Sequence, residues 1–330
     1  MPKKKRNLLF KKYEKTYLGR VAGCFSDDNP YIHFLRKCRY NSFPDFQKKI
    51  AFEVDRRQLG FSAKEVIGIA SLKRLISNEF NMNEVCHILG SGASLNISKK
   101  KIAPTDFVIG INFSGVSLLH SDIYITETCT EKTAVQKEKT EILKKCITHS
   151  VLPRGGIVLY KNLWSGNLDR GMIASLTYDK KYVLKDIFYS RYGKECRSEK
   201  DLRKFCNELF RNSLGSDYLY QYGSSPCGAL DLAARLGFSK IVLHGQDFGG
   251  PHFFSVEDYN WPVWLTDREI RLLKKQAFDK RDHQFYQDTE AKFRYIIKLL
   301  KTEQELKIFS GCRESKVAEY LDVYEASDNF

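Results

Sequence analysis

The chain has 330 residues, with 54 Lys and Arg against 40 Asp and Glu, and a formal net charge of +14. With 42% hydrophobic and 13% aromatic residues it can bury a full core, which excludes disordered, collagen-like and small disulfide-stapled proteins, and its length predicts about two domains or one domain with extensions. No apolar run reaches the roughly 18 residues of a membrane span and no secretory signal opens the chain, so we expect a cytoplasmic protein.

Much of the positive charge lies at the start of the chain. Residues 1–20 contain eight Lys and Arg and one acid, so they carry +7 of the net charge, and aliphatic and aromatic residues are interleaved among them. This composition fits an anionic membrane surface on the inner face of the plasma membrane. A frayed solvated terminus and a nuclear-localisation-like or nucleic-acid-binding tail are the alternatives.

The next segment predicts two helices within residues 45–78. Ser62 and Glu65 form a capping box that opens the second helix at Val66. Together with the basic block these helices form a partly helical N-terminal extension, residues 1–80. Nine cysteines without a Cys-x-x-Cys pair indicate reduced thiols rather than a zinc or redox motif.

From residue 81 onward, short aliphatic strands alternate with amphipathic helices. The predicted strands are Val85–Leu89, Phe107–Ile111, Asp122–Ile125, Gly156–Tyr160, Lys240–His244 and Leu306–Phe309. The predicted helices are Thr133–Cys146, Glu199–Arg211, Cys227–Leu236 and Asp288–Lys301. This alternation is typical of an α/β protein with a Rossmann-like, mostly parallel sheet, here residues 81–330. Residues 164–222 and 251–282 are expected to be lid-like insertions on the acceptor side.

A glycine-rich loop follows the first strand of this domain. It reads Gly90-Ser91-Gly92-Ala93-Ser94-Leu95 and offers backbone N–H groups to a phosphate or ribose. It lacks the third glycine of the dinucleotide fingerprint and the Gly-Lys-Ser/Thr of a P-loop. A plain tight turn is the alternative interpretation.

Carboxylates and histidines follow other strands at the same edge. Glu127 and Asp247 end two of the strands, where a carboxylate can act as acid, base or nucleophile, although Glu127 also fits a helix N-cap region. His252 and His283 lie in polar stretches that can fold over the strand carrying Asp247. A metal site formed by His244, Asp247 and His252 matches no standard ligand spacing, so no metal is predicted.

These motifs resemble known families of bacterial CMP-sugar glycosyltransferases. The glycine-rich loop resembles the Gly-Asn-Gly-Pro-Ser-Leu loop of the sialyltransferases that act on lipooligosaccharide. The block from Ser224 to Phe248, with Gly245-Gln246-Asp247, resembles their Thr-Ser-Gly…Leu-Gly-Tyr…Gly-x-Asp-Phe block. The same block is similar to the motility accessory factor family and to the retaining β-Kdo transferases.

The resemblance implies a CMP-activated acidic sugar bound at the carboxyl edge of the sheet, with no further cofactor. It implies that His283, downstream of Asp247, is a general base as in the sialyltransferases. The residues that the resemblance places on the donor are Gly90, Ser91, Gly92, Ser94, Asn112, Ser224, Ser225, Gly245 and His252.

The resemblance also leaves two chemical routes open. The tyrosines that hold the leaving phosphate in sialyltransferases align with Gly249 and Ser255, and His252 could replace them. In the Kdo transferases the Gly-x-Asp aspartate is the nucleophile, which Asp247 matches, and Glu127 matches its assisting glutamate. The motifs therefore favour retaining Kdo-type transfer slightly over inverting sialyl transfer.

The expected function is that of a peripheral-membrane glycosyltransferase acting on a surface glycan or glycolipid acceptor, in lipopolysaccharide or capsule biosynthesis. Residues 1–20 would hold the enzyme near that acceptor. A pterin diphosphokinase-like enzyme and a basic nucleic-acid-binding protein are the alternatives, although no nucleic-acid partner is expected for the enzyme.

Overall fold

The computed structural model describes residues 65–80, 85–127, 134–161, 178–184, 186–187, 198–201, 203–204, 207, 217, 219–220, 224–276 and 283–325. The strands are β1 Val66–Ile67, β2 Val85–Leu89, β3 Phe107–Ile111, β4 Ile123–Glu127, β5 Ile157–Lys161, β6 Lys181–Leu184, β7 Asp186–Ile187, β8 Leu219–Tyr220, β9 Lys240–His244 and β10 Lys307–Ser310. The α-helices are α1 Ile69–Glu79, α2 Leu95–Ser98, α3 Ala134–Ser150, α4 Ser225–Leu236, α5 Asp267–Gln276 and α6 His283–Glu303. No helix in these ranges is long and apolar enough to cross a membrane.

Eight strands form one parallel sheet in the order β1-β6-β5-β4-β3-β2-β9-β10. Strands β7 and β8 pair separately, also in parallel. Parallel sheets are covered on both faces, which explains why the central strands are continuous aliphatic runs. The α/β fold class predicted from the sequence is confirmed.

The sheet separates two layers of helices. Because successive strand residues point to opposite faces, Ile109 packs with α1, α4 and α6, whereas Val108 packs with α2, α3 and α5. We call these two layers the α1 side and the α3 side. The α3 side also includes residues 112–119 and 252–265, whose apolar side chains belong to the same core cluster.

The chain reverses direction across the sheet between β2 and β9. From β2 the strands run outward in sequence to β6, and the chain then returns through α4 to place β9 on the other side of β2. In open α/β sheets a ligand crevice lies beyond the carboxyl ends of the strands at such a switch point. Here those ends are occupied by the Gly90 loop and by Gly245-Gln246-Asp247.

The structure corrects the sequence prediction at several elements. The helix expected to open at Val66 begins at Ile69, because Val66 and Ile67 pair with β6 as strand β1. Strand β1 and helix α1, assigned from the sequence to the N-terminal extension, are thus part of the sheet and its core. Strand β6 and helix α5 were not predicted.

Several predicted features lie outside the described residues. These are the basic block of residues 1–20, the helix expected from residue 45 with the Ser62 end of the capping box, and most of the 164–222 insertion. Only parts of the helix predicted over residues 199–211 and of the 251–282 insertion are described.

Candidate active site

The Gly90 loop and the loop that follows β9 contact each other at the switch point and form the floor of the site. Gly90 N donates to the carbonyl of His244 at 2.7 Å, and Gly92 N donates to the carbonyl of Gly245 at 2.9 Å. A Cβ on Gly90 would lie 2.4 Å from Gly245 O, and one on Gly92 would lie 2.4 Å from the Asp247 carboxylate. Glycine is therefore required at both loop positions for the two backbones to meet.

The Asp247 carboxylate joins three parts of the chain. Its Oδ1 accepts hydrogen bonds from Ser94 Oγ at 2.6 Å and from Ser315 Oγ at 3.1 Å, and its Oδ2 accepts from Ser94 N at 2.9 Å. Hydrogen bonds to an ionised acceptor are about twice as strong as neutral ones. Asp247 thus fastens the Gly90 loop to β9 and to the segment after β10.

The turn after β9 bends through an unusual run of left-handed residues. Gly245, Phe248, Gly249 and Gly250 have φ values of 64°, 44°, 102° and 87°. Phe248 is the one non-glycine among them, and its ring packs 5.1 Å from that of Phe293 on the α1 side. This turn carries the chain sharply around the carboxyl edge of the sheet.

His252 returns to the Gly90 loop. Its Nδ1 donates to the carbonyl of Ser91 at 3.1 Å, because a carbonyl can only accept, and Phe253 N donates to the same carbonyl at 3.0 Å. The His252 ring stacks on Phe254 with centroids 5.0 Å apart. The structure therefore brings His252, Ser91 and Asp247 to one loop cluster.

Asn112 follows β3, the strand next to β2. It is the first residue of a 3₁₀ helix, Asn112–Ser117, and has a φ of 47°, a left-handed value that costs energy for a residue with a Cβ. Its Oδ1 is buried and has no hydrogen-bond partner among the described residues. Leu89 pairs with Gly110 in the sheet, so Asn112 and the Gly90 loop lie at the same edge. A buried polar atom without a partner calls for an explanation, and a bound ligand that donates a hydrogen bond to it would be one.

Ser224 and Ser225 open helix α4. The Ser224 hydroxyl accepts from Cys227 N at 3.4 Å, and α4 packs against β2, β3 and β9. The C-terminus of α4 leads into the amino end of β9. The N-terminus of α4 therefore lies at the carboxyl edge of the sheet. The positive end of the α4 dipole favours anionic ligands there.

For the other two predicted catalytic residues, Glu127 and His283, the structure describes the backbone position only. Glu127 is the last residue of β4 and pairs in register with Lys161, and His283 is the first residue of α6. Their side chains lie outside the described atoms, so their catalytic roles stay predictions. Within the described ranges, no group of three His, Cys, Asp or Glu side chains could hold a metal ion.

A buried histidine pair beneath the site was not predicted. Nδ1 of His87 lies 2.9 Å from Nε2 of His244, and Nε2 of His87 lies 3.2 Å from the Asp106 carboxylate. Burial, and then the positive charge of His87 and Lys101, hold the pKa of His244 well below its usual value of 6.5. The two histidines are 157 positions apart in the chain, and the pairing of β2 with β9 brings their rings together.

Helices on both faces of the sheet and the switch point between β2 and β9 define a doubly wound α/β domain. No protein-family model and no curated protein sequence matches the chain. Solved structures with a similar fold include the sialyltransferase CST-II in complex with CMP, at 14% identity and a TM-score of 0.44, with 75% of this chain and 89% of that chain covered. Another is the monofunctional α-2,3-sialyltransferase Cst-I from Campylobacter jejuni, at 16% identity and a TM-score of 0.41, covering 77% and 86%.

A further similar structure is CstII from Campylobacter jejuni in complex with the substrate analogue CMP-3FNeuAc. It has 13% identity and a TM-score of 0.39, with 76% of this chain and 93% of that chain covered.

Proposed function

We propose that the protein is a glycosyltransferase that moves an acidic sugar, sialic-acid-like or Kdo-like, from its CMP ester to a glycan or glycolipid acceptor. The observation that carries the proposal is Asn112. Its backbone is held in a left-handed conformation beside the Gly90 loop, and its Oδ1 is buried without a partner among the described residues. Strain and an unsatisfied acceptor at a switch point together favour a ligand-binding role.

The chemistry of cytidine fits that acceptor. The exocyclic amino group of cytosine is a hydrogen-bond donor, and the ribose hydroxyls are donors as well. Asn112 Oδ1 would accept one of these, while the positive end of the α4 dipole, with Ser224 and Ser225, would face the anionic part of the donor.

The reaction separates charge. When CMP leaves a tertiary anomeric carbon, positive charge develops on the ring and negative charge on the phosphate, so donors beside the phosphate stabilise the transition state. His252, held against Ser91, is the proposed phosphate partner. His283, at the start of α6, is the proposed base that takes the acceptor proton as the acceptor oxygen attacks and CMP departs.

The hydrogen bonds of Asp247 favour the inverting route. A retaining enzyme needs a carboxylate that is free to attack, but the oxygens of Asp247 accept three hydrogen bonds from Ser94 and Ser315. We therefore propose inversion, with Asp247 as a positioning residue rather than the nucleophile. The anomeric configuration of the product, read by proton NMR, tests this directly, since net retention would refute it.

The donor is tested by thermal and calorimetric titration with CMP, CDP, ATP and GMP. A ligand at about a hundredfold excess over its Kd raises the free energy of unfolding by about 2.7 kcal/mol. We expect selective stabilisation by CMP that is lost in Asn112→Ala. Asn260→Ala is the matched control, because Asn260 is an exposed asparagine, and it should respond like wild type.

Other outcomes of that titration point elsewhere. Stabilisation by ATP alone would favour the diphosphokinase alternative. No response to any nucleotide, or equal loss in both asparagine variants, would refute the proposed donor site.

A further inference from the structure

We propose that residues 322–325 form a strap over the buried histidine pair, and that uptake of a proton by the pair opens the strap and loosens the Gly90 loop. The strap lies beside β10. Ser310 N donates to the carbonyl of Asp322 at 2.9 Å, and Tyr324 N donates to the carbonyl of Ser310 at 2.8 Å. These bonds flank one isolated parallel bridge, between Ser310 and Val323, whereas β9 and β10 pair over four residues.

Tyr324 is the part of the strap that covers the histidines. Its ring meets that of His87 edge-on, with centroids 5.9 Å apart, and lies at the same distance from the ring of Phe309. Lys101 Nζ donates to the Tyr324 carbonyl at 2.5 Å. Beneath this cover, His87 and His244 have no exposed surface.

The contacts of the pair determine where its protons lie. Nε2 of His87 faces the Asp106 carboxylate at 3.2 Å, which favours a hydrogen on that nitrogen because a carboxylate only accepts. Nδ1 of His87 and Nε2 of His244 are 2.9 Å apart, so one donates and the other accepts. In the neutral pair His244 Nε2 is therefore the donor, and His244 Nδ1 is left as a lone pair.

An added proton leaves a buried N–H group without an acceptor. Whichever of the two rings becomes charged, Nδ1 of His244 then carries a hydrogen. That nitrogen is buried and has no hydrogen-bond partner among the described residues. Gly311 packs directly against it, since a Cβ on Gly311 would lie 2.5 Å away. The nearby hydroxyl of Ser98 also lacks a partner, so it is not the missing acceptor. The closed strap thus disfavours the charged pair.

The charges around the pair add to this effect. Burial, and then the positive charges of His87 and Lys101, lower the pKa of His244. The one carboxylate that faces the pair from the described residues lies at His87 Nε2, away from His244 Nδ1. The titratable groups on the elements packed around the pair are Asp106, Lys101, Cys312 and Tyr324.

The pair is also bonded to the candidate site. The carbonyl of His244 accepts from Gly90 N at 2.7 Å. Gly311, which packs on the His244 ring, lies between β10 and Ser315, the residue that donates to Asp247. A His244 ring that turns toward solvent when the strap opens therefore disturbs contacts on both sides of the switch point. This coupling holds whichever ligand the site binds.

Amide hydrogen exchange of the free full-length protein between about pH 7.5 and 5 tests the strap, after correction for intrinsic exchange rates. Because opening takes up one proton, protection of the Tyr324 amide should fall by up to tenfold per pH unit below about pH 6.5, or up to about 30-fold at pH 5. The Gly90 amide should lose protection in parallel. His244→Gln should remove the fall, whereas His120→Gln, at an exposed histidine, should keep it.

A core amide separates opening of the strap from unfolding of the whole domain. Ile109 is buried at the centre of the sheet, and its amide should be better protected than that of Tyr324 at every pH. Lys101→Met removes the bond to the Tyr324 carbonyl, so it should lower the protection of Tyr324 at all pH values and keep its pH dependence. Lys100→Met makes the same change at an exposed neighbour and should match wild type.

Four results would overturn the proposal. Equal protection of Tyr324 and Ile109 would mean that the strap opens only when the domain unfolds. Protection of Tyr324 that does not change with pH, or that falls equally in His244→Gln, would remove the pair from control of the strap. A Gly90 amide that stays protected in acid would break the link to the candidate site. Because no ligand or turnover is involved, failure of the proposed transferase function leaves this test unaffected.

Discussion

Lowering the pH below the ordinary pKa of histidine should destabilise the fold through His244. This ring is fully buried, contacts His87 at 2.9 Å, and lies in a site where burial and the charges of His87 and Lys101 depress its pKa well below 6.5. The Asp106 carboxylate lies 3.2 Å from the other ring nitrogen of His87, Nε2. The folded state therefore keeps His244 neutral at a pH where the unfolded chain takes up a proton.

The direction and size of this destabilisation follow from the difference in bound protons between the folded and unfolded states. Below about pH 6.5 the unfolded state binds one more proton than the folded state, so the free energy of unfolding falls as the pH falls. The limiting slope for one proton is about 1.4 kcal/mol per pH unit, so the loss between pH 6.5 and 5 is bounded at about 2 kcal/mol. The stabilisation is present above the unfolded pKa and is lost toward the folded pKa.

Urea unfolding at several pH values measures this slope. His244→Gln removes the titrating group while its amide can still donate to His87, so it should flatten the pH dependence between about pH 6.5 and 5. His120→Gln, which removes an exposed histidine, is the control and should keep the wild-type slope. Equal slopes in wild type and His244→Gln would refute the reasoning.

Three further changes test the switch point. Gly92→Ala places a Cβ 2.4 Å from Asp247, which should lower the free energy of unfolding by about 1–3 kcal/mol and weaken CMP binding, as measured by denaturation and calorimetry. Ser315→Ala removes one of the three hydrogen bonds to Asp247, and we expect a loss of about 1 kcal/mol in the same denaturation assay. Asn112→Gly relieves the left-handed backbone, so stability should stay within about 1 kcal/mol of wild type while calorimetry detects weaker CMP binding.

Each of these predictions has a clear contrary result. Unchanged stability in Gly92→Ala would mean that the loops need not approach as closely as the structure places them. A Ser315→Ala protein as stable as wild type would remove Ser315 from the role assigned to it. Full CMP affinity in Asn112→Gly would show that the Asn112 side-chain amide does not contribute to the donor site.

The central strands were predictable because their burial is uniform. β2, β3 and β9 have the predicted bounds. A strand that is covered on both faces consists of a nearly unbroken aliphatic run, which is recognisable in the sequence. β1 and β6 lie toward one edge of the sheet, and their short segments, Val66–Ile67 and Lys181–Leu184, carry no such run. Their pairing arises from tertiary packing, which overrides local preference.

Helix α5 had a local signal that the sequence analysis did not use. Thr266 and Glu269 form a capping box, in which Thr266 N donates to the Glu269 carboxylate at 2.7 Å and Glu269 N lies 3.3 Å from the Thr266 hydroxyl. The spacing Thr-x-x-Glu before an amphipathic segment is readable from the sequence alone. Residues 251–282 were instead predicted to be a lid-like insertion.

The loops that meet at the switch point were predictable, but the contacts between them were not. Glycines and polar residues at strand ends predicted that the Gly90 loop and Gly245 lie at the carboxyl edge of the sheet. The bond between Ser94 and Asp247 joins residues 153 positions apart, and it exists only because β2 and β9 are neighbours in one register. The left-handed backbone of Asn112 is likewise a property of the folded chain, although asparagine tolerates it better than most residues.

The placement of β9 beside β2 has a consequence for how the chain is made. During synthesis, β2 leaves the ribosome long before β9. The backbone groups on the side of β2 that pairs with β9 therefore stay unpaired until His244 has been synthesised and released. Pairings between distant segments form slowly, and exposed strand edges promote aggregation meanwhile. We expect the nascent chain to depend on chaperones through this interval, and refolding of the complete protein to be limited by the closure of β9 onto β2.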